Sequence, residues 1–449
     1  MCKKICPRSH RLVVRTPPSQ GGNTGSSPVG SAIVDYTQKF DSFRNKTLYE
    51  QLGSEQQAFI RRLAFKYLFS FQEFRQVGEA SRDLGMWGET SLETWWQHQS
   101  LPTTLKGTAL KKRLLANLQA HLKALKASPK SYPRTGMPPL KQRQTPNIMT
   151  KHSDKKIEGF CPVASPKTVC CNLRTIDAVE NCPYACSYCS IQTFYTDNAV
   201  FDADFAAKLK AIAIDPDRFY HYGTGQASDS LAWGDRNGIL TELCQFAADH
   251  PNILLEFKTK SKNIQYFLEH DIPENVVCSW SLNTSAIIAN EERFTASLEQ
   301  RLDAARQLAD RDIAIAFHFH PMVYYEGCEE EYVNLASQTM RQFQPNEVLF
   351  LSFGTVTLIK PVIKKIRRLG NPTKILQMDF VPDPHGKLTY PDEIKIRLFK
   401  TLYDALEPWR DDVFMYLCME KASIWQEVFG YVYDSNEIFE AEFGSRTIA

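Results

Sequence analysis

The sequence predicts an α/β chain in which a partial (β/α)6 barrel follows a small all-α module. Three observations carry this. From about Tyr36 to Lys126, apolar residues recur every three or four positions, as in EQQAFIRRLAFKYLFSFQEFRQV, with charges between them. Residues 127–160 are Pro-rich, polar and basic, and break that period. After Cys161, short strand patterns alternate with helical ones, as expected of a parallel sheet with right-handed crossovers.

In the first segment, further helical signals run through LETWWQHQ and KKRLLANLQAHLKALKA, and Trp95 and Trp96 are expected in the module's core rather than as a stacking platform. Residues 127–160 read as a linker. From Lys106 to Lys156, Lys and Arg far outnumber the one acid, Asp154, which suits a solvated face or an electrostatic footprint for nucleic acid. In residues 161–449, strands are predicted at 173–179, 218–223, 252–259, 274–282, 312–319 and 347–353, with helices between them. Barrels of this kind place their chemistry at the C-terminal ends of the strands.

At 449 residues, with 43% hydrophobic and 23% charged residues, the composition is that of a globular protein. A net charge of +2 gives no global pull toward nucleic acid or membrane, and no apolar run approaches the roughly 20 residues of a membrane span. The N-terminus MCKKICPRSHRLVV lacks the apolar core of a signal peptide, so a reducing cytoplasm is expected for the twelve cysteines. Residues 1–35 read as a disordered or spurious extension. GGNTGSSPVG resembles the conceptual translation of a transfer-RNA gene, so Cys2 and Cys6 receive no functional weight.

The cysteines concentrate in ENCPYACSYCSIQTFY, where Cys182, Cys186 and Cys189 follow the first predicted strand. Thiolates suit zinc or iron–sulfur clusters. A structural zinc site needs a fourth donor, which Cys161, Cys170 or Cys171 could supply. Three cysteines around a 4Fe–4S cluster instead leave one iron open.

The C-x3-C-x2-C spacing, with Tyr188 before the last cysteine, resembles the radical S-adenosylmethionine superfamily. From Asp177 to about Tyr431 the chain looks like the spore photoproduct lyase or DNA photolyase-like family, through CPYACSYCSIQT, GTGQASDSL, FKTKS, SWSLNTS, SLEQRLDAARQLAD and FHFHPMVYYEGCEEEY. The resemblance implies a 4Fe–4S cluster on Cys182, Cys186 and Cys189. It further implies S-adenosylmethionine held by Gly223, Gly225, Ser228, Lys258, Ser281 and Asn283, and an external electron donor of flavodoxin or ferredoxin type. The implied substrate is a damaged or modified nucleic-acid base, in DNA or RNA, with an RNA base or a small metabolite as the alternative and a non-catalytic zinc-binding nucleic-acid module as the rival. No membrane partner is implied.

The sequence departs from the family at two positions. Gln226 stands where the lyase has its hydrogen-returning cysteine, and Ser190 where it has a tyrosine after the third cluster cysteine. Cys328 and Cys418, near the predicted catalytic face, are the substitute candidates, with Tyr188 retained, while Cys278 reads as core. His318 and His320 alternate on one strand, so one of them is expected to face inward, in packing rather than metal ligation. Glu329, Glu330 and Glu331 read as a helix N-terminus.

Overall fold

The computed structural model describes residues 36–134, 136–138, 140, 146–161, 167–191 and 198–448. The expected N-terminal extension, with Cys2 and Cys6, lies outside them, as does the QTFYTD stretch after the cysteine motif.

Five helices build the first unit: α1 (Tyr36–Arg44), α2 (Ser54–Tyr67), α3 (Phe71–Trp87), α4 (Leu92–Gln97) and α5 (Gly107–Ala127). Their apolar stripes meet in a core of their own that includes Phe40, Ile60, Phe74, Leu84, Trp96 and Leu118. Trp96 is buried there, whereas Trp95 is half-buried and stacks on His121. Ser70 and Glu73 close the start of α3 as a reciprocal capping box, and Gly88 ends it at φ 64°. Glu73 also accepts from Lys111, at 2.9 Å, which fastens α3 to α5.

The second unit is an eight-stranded curled sheet. Its strands are β1 (Glu158–Phe160), β2 (Arg174–Ile176), β3 (Tyr220–Thr224), β4 (Ile253–Thr259), β5 (Val276–Ser281), β6 (Ala314–Met322), β7 (Val348–Thr355) and β8 (Phe414–Leu417). Their spatial order is their order in the chain. β2 to β8 are parallel neighbours throughout and β1 pairs antiparallel on the edge. The parallel sheet therefore holds seven strands rather than six, β8 being the addition. β3 and β5 are buried at every position, as a sheet covered on both faces requires. Cys278 sits between Phe257 and Ile315 as a core residue.

Past its last strand the sheet turns back on its first edge. Val169, before β2, forms an isolated antiparallel bridge with Glu420, after β8, its N–H donating to the Glu420 carbonyl at 2.9 Å. At this seam the Cys171 thiol is pushed up by a bond from Cys170, by burial, and by Cys418 and Cys161.

The segment between the two units is no loose tether. Residues 147–151 pair in parallel with 198–202, and β1 joins the main sheet. Lys130 is fully buried, and its carbonyl accepts from the Glu326 N–H at 2.9 Å. Tyr132 donates to Glu291 at 2.8 Å. The basic run is thus divided: Lys106, Lys112, Arg113, Lys123, Lys151, Lys155 and Lys156 are exposed, whereas Lys130 belongs to the interior. Glu89, just after α3, receives Lys374 at 2.5 Å and Gln377 at 3.0 Å, and so docks the helical unit on the barrel.

Candidate active site

The three-cysteine loop lies at the C-terminal end of the parallel strands, between β2 and β3. Asn181 sets its entry from a positive φ of 77°, its Oδ1 accepting from the Cys182 N–H at 2.8 Å and its own N–H donating to the Ala227 carbonyl at 2.9 Å. Cys186 sits in a two-residue strand, Ala185–Cys186, paired with Glu292–Arg293, and Ser187 N–H donates to the Glu291 carbonyl at 2.9 Å. The loop is therefore anchored to residues 291–293.

Those residues are held by a buried charge network that the sequence did not disclose. Arg301, fully buried, donates to Glu292 at 2.7 Å, to the Ser281 carbonyl at 2.7 Å and to the Ala296 carbonyl at 3.0 Å. Burial alone would raise the Glu292 carboxyl, but Lys260 and Arg301, with bonds from Tyr188 and Arg301, hold it below the usual carboxylate range. Tyr188 donates to Glu292 at 2.5 Å, so the aromatic residue of the motif is tied to the same carboxylate. Glu291 accepts from Tyr132, from Thr373 at 2.7 Å and from the Lys374 N–H at 2.9 Å. Nothing in the spacing of the charges in NEERF (290–294) signals this. Arg301 lies in an ordinary amphipathic helix (Leu298–Ala309) and meets its partners only through the fold.

Cys182, Cys186 and Cys189 are thiols rather than disulfides. Burial pushes the Cys182 thiol up, helped by Asp229, Cys189 and Cys186. Burial and Glu292 do the same for Cys186, against the pull of Lys260 and Arg301. The donor set fits a cluster with three protein ligands: three thiols in one short loop, with two cations beside Cys186 to favour thiolate once metal displaces the proton. Among the described residues no three His, Cys, Asp or Glu side chains converge on a single ion. The candidates for a fourth zinc donor lie elsewhere: the thiols that act on Cys171 are Cys170, Cys418 and Cys161.

The residues expected around S-adenosylmethionine fall in two groups. Gly225 has φ 86°, and a Cβ there would lie 2.7 Å from Ser230 Oγ and 3.0 Å from the Lys258 carbonyl, so only glycine fits the turn after β3. Gly223 lies on β3 against the Leu173 side chain. The ammonium of Lys258, at the end of β4, makes no hydrogen bond or ion pair among the described residues, and its charge acts on His318 and His320. Ser228, Ser281 and Asn283 are held by the protein itself. Ser228 Oγ donates to the Asn181 carbonyl at 2.6 Å and accepts from Trp233 Nε1 at 2.9 Å. Ser281 is buried with its carbonyl on Arg301. Asn283 donates to the Pro321 carbonyl at 2.8 Å and accepts from Tyr332 at 3.0 Å.

The two substitute thiols part company. Cys328 is sealed at the start of helix Cys328–Gln342, beside Lys130 and Arg397. Cys418, just past β8, feels Cys161 and Lys258 and lines a polar cleft with Thr168, Thr355, Lys395 and Glu420. Glu329 forms an exposed ion pair with Arg397 at 2.7 Å, in the first turn of its helix. Gln226 is half-buried next to Ala227, whose carbonyl holds Asn181, and Ser190 is exposed.

The histidine expectation needs correction. Positions i and i+2 of a strand share a face, and both His318 and His320 meet Ser352 Oγ from β6. Their rings lie 5.3 Å apart.

Residues 170–381 match the family model described as spore photoproduct lyase. A spore photoproduct lyase of Geobacillus sp. (strain Y412MC61) is 23% identical over 208 residues, covering 44% of this chain and 61% of the relative. One from Clostridium acetobutylicum is 24% identical over 202 residues, covering 42% and 58%. The chain thus spans about three fifths of the length of these curated relatives. Among solved structures, a spore photoproduct lyase mutant with bound AdoMet and dinucleoside spore photoproduct superposes with a TM-score of 0.52 at 20% identity, over 63% of this chain and 86% of that one. The match begins at the seam cysteines and runs past the Lys374 anchor, so it takes in the cysteine loop, the charge network behind it and strands β2 to β7: over residues 170–381 the chain is similar to the spore photoproduct lyase family.

Proposed function

We propose that the protein is a radical S-adenosylmethionine enzyme acting on a damaged or modified nucleic-acid base. The observation that carries this is the three-thiol loop at the barrel mouth, anchored to a buried Glu292–Arg301 pair and flanked by Lys260. Cys182, Cys186 and Cys189 would hold the 4Fe–4S cluster. Together the cluster and S-adenosylmethionine supply a 5′-deoxyadenosyl radical that removes a hydrogen atom from the substrate.

The chain's own residues orient and exclude. Gly225 lets the turn after β3 close against Ser230 and the Lys258 carbonyl, and Lys258 offers an ammonium that has no partner among the described residues to the carboxylate of the methionine part. Tyr188 and Glu292 fix the back of the loop. Cys418 is the better candidate to return a hydrogen atom, because it shares the interior with Lys258 whereas Cys328 is sealed under the interdomain segment. The exposed lysines and arginines of residues 106–156 are the candidates for phosphate contact, with an external flavodoxin or ferredoxin as the electron source.

Anaerobic reconstitution tests the reading. Iron with a broad absorbance near ~400 nm, lost in Cys186→Ala, is the expected result. Stoichiometric zinc without iron would overturn it. Reduced enzyme should then release 5′-deoxyadenosine, and irradiated DNA or RNA carrying deuterium should transfer it into that product.

A further inference from the structure

The barrel interior contains a hydrogen-bonded chain that none of the roles above uses. Glu256 on β4 is buried and accepts from three side chains: His221 Nε2 at 2.9 Å, Ser279 Oγ, and His318 Nε2. The other ring nitrogen of His318 meets Ser352 Oγ on β7, and Ser352 Oγ meets His320 Nε2 at 3.2 Å. β4 and β6 are separated by β5, so these bonds cross the concave side of the sheet.

The chain has a direction, and its chemistry fixes it. A carboxylate only accepts, so His318 must carry its proton on Nε2. Burial and Lys258 keep the His318 ring neutral, so its Nδ1 is a bare acceptor and Ser352 spends its single O–H there. Ser352 can only accept from its remaining neighbours, which are His320 and the Tyr416 hydroxyl. His320 must therefore carry its proton on Nε2 as well, and its Nδ1 is left with an open lone pair.

The position of that lone pair is as definite as its chemistry. The Nε2 side of the ring packs on Gly354, where a Cβ would lie 2.9 Å from Nε2. No described residue bonds Nδ1, and unlike His221 Nδ1 it is not sealed from solvent. His320 stands near the C-terminal end of β6, and the Lys260 ammonium donates to its carbonyl at 3.4 Å. The charged and titratable groups that act on the ring are Lys258 on β4, Lys260 just beyond it, Glu256 on β4 and His318 on β6, with His221 on β3 and Tyr416 on β8 joined to the same chain. Burial and the two lysines keep the ring neutral.

We propose that His320 is the barrel's built-in hydrogen-bond acceptor: its Nδ1 receives an N–H or O–H group of the molecule bound at the barrel mouth. Glu256, His318 and Ser352 are positioning residues that lock the acceptor tautomer. This goes further than the radical reading and shares its reaction site, but its test requires neither cluster nor S-adenosylmethionine, so either can fail without the other.

Diethyl pyrocarbonate acylates the bare nitrogen of neutral, accessible imidazole. The full chain is treated at pH 5.5 and 7.5 with N-acetylhistidine as internal standard, and modified histidines are located by mass spectrometry. The standard should slow about tenfold at the lower pH, from an imidazole pKa near 6.5. His320 should react at both pH values with rates within twofold. A His320 that is unreactive at pH 7.5, or that slows with the standard, overturns the proposal. In ¹⁵N-histidine protein, with the His320 signals assigned by their loss in His320→Gln, Nε2 should be the protonated nitrogen and Nδ1 the bare one. Ser352→Ala should abolish that preference while thermal unfolding stays cooperative. A protonated Nδ1 in the parent chain, or a tautomer unchanged in Ser352→Ala, would equally sink it.

Discussion

Arg301 and Gly225 show how differently two residues of one site can be read. Gly225 stands in GTGQ, where its role was legible, because a glycine pair after a strand marks a turn that no side chain fits. Arg301 carries no such mark, since a buried guanidinium and an exposed one look alike in an amphipathic helix. Yet Arg301 has the larger energetic stake. Arg301→Met should leave the buried Glu292 carboxylate without its bonded guanidinium, with only Lys260 at 3.8 Å as counter-charge, and cost about 3 kcal/mol, read as a lowered urea midpoint. Glu292→Gln in the same background should recover part of the loss. Gly225→Ala should cost about 1–3 kcal/mol through its positive φ and weaken iron retention by shifting the loop. Unchanged iron content and midpoint would contradict the clash with Ser230 and the Lys258 carbonyl. Asn283 teaches the converse lesson, for the motif drew attention to it as a cofactor contact while its amide is already spent on Pro321 and Tyr332.

At the scale of elements, the sequence was most readable where burial is uniform. The predicted strands at 252–259 and 274–282 coincide with β4 and β5, because strands covered on both faces are continuous apolar runs. β1 and the strand at 147–151 were hidden in the Pro-rich segment, since short edge strands with exposed residues have no such pattern. The same segment shows why a polar composition is an unsafe guide to a linker: Lys130 and Tyr132 are held by the barrel. The docking of the helical unit turns on Glu89, whose carboxylate serves both Lys374 and Gln377. Glu89→Ala should leave the buried Lys374 without its anion and cost about 1–3 kcal/mol. Limited proteolysis should then cut faster between the helical unit and the barrel, while the barrel itself stays resistant.

For the molecule as a whole, the interior histidines set a pH response. His318 is lowered to about 4 by burial and Lys258, and His320 is lowered well below the ordinary imidazole value by burial and the same lysine. Unfolded imidazoles take up protons as pH falls below about 6.5, whereas these do so only near their lowered values. Stability should therefore be full above pH 6.5 and decline toward pH 4, by at most about 1.4 kcal/mol per pH unit for each histidine. Urea unfolding at pH 7 and pH 5 measures this, and His318→Gln should flatten the slope. The bridge between Val169 and Glu420 adds a consequence in time rather than in energy. Every other pairing in the main sheet joins strands that follow one another in the chain, and can form as the chain lengthens. This closure joins residues some 250 positions apart, so it cannot form until Glu420 has been made. Until then Cys161, Cys170 and Cys171 wait at an unfinished edge for Cys418, and a nascent chain stalled before β8 would expose those thiols to the first oxidant or metal it met.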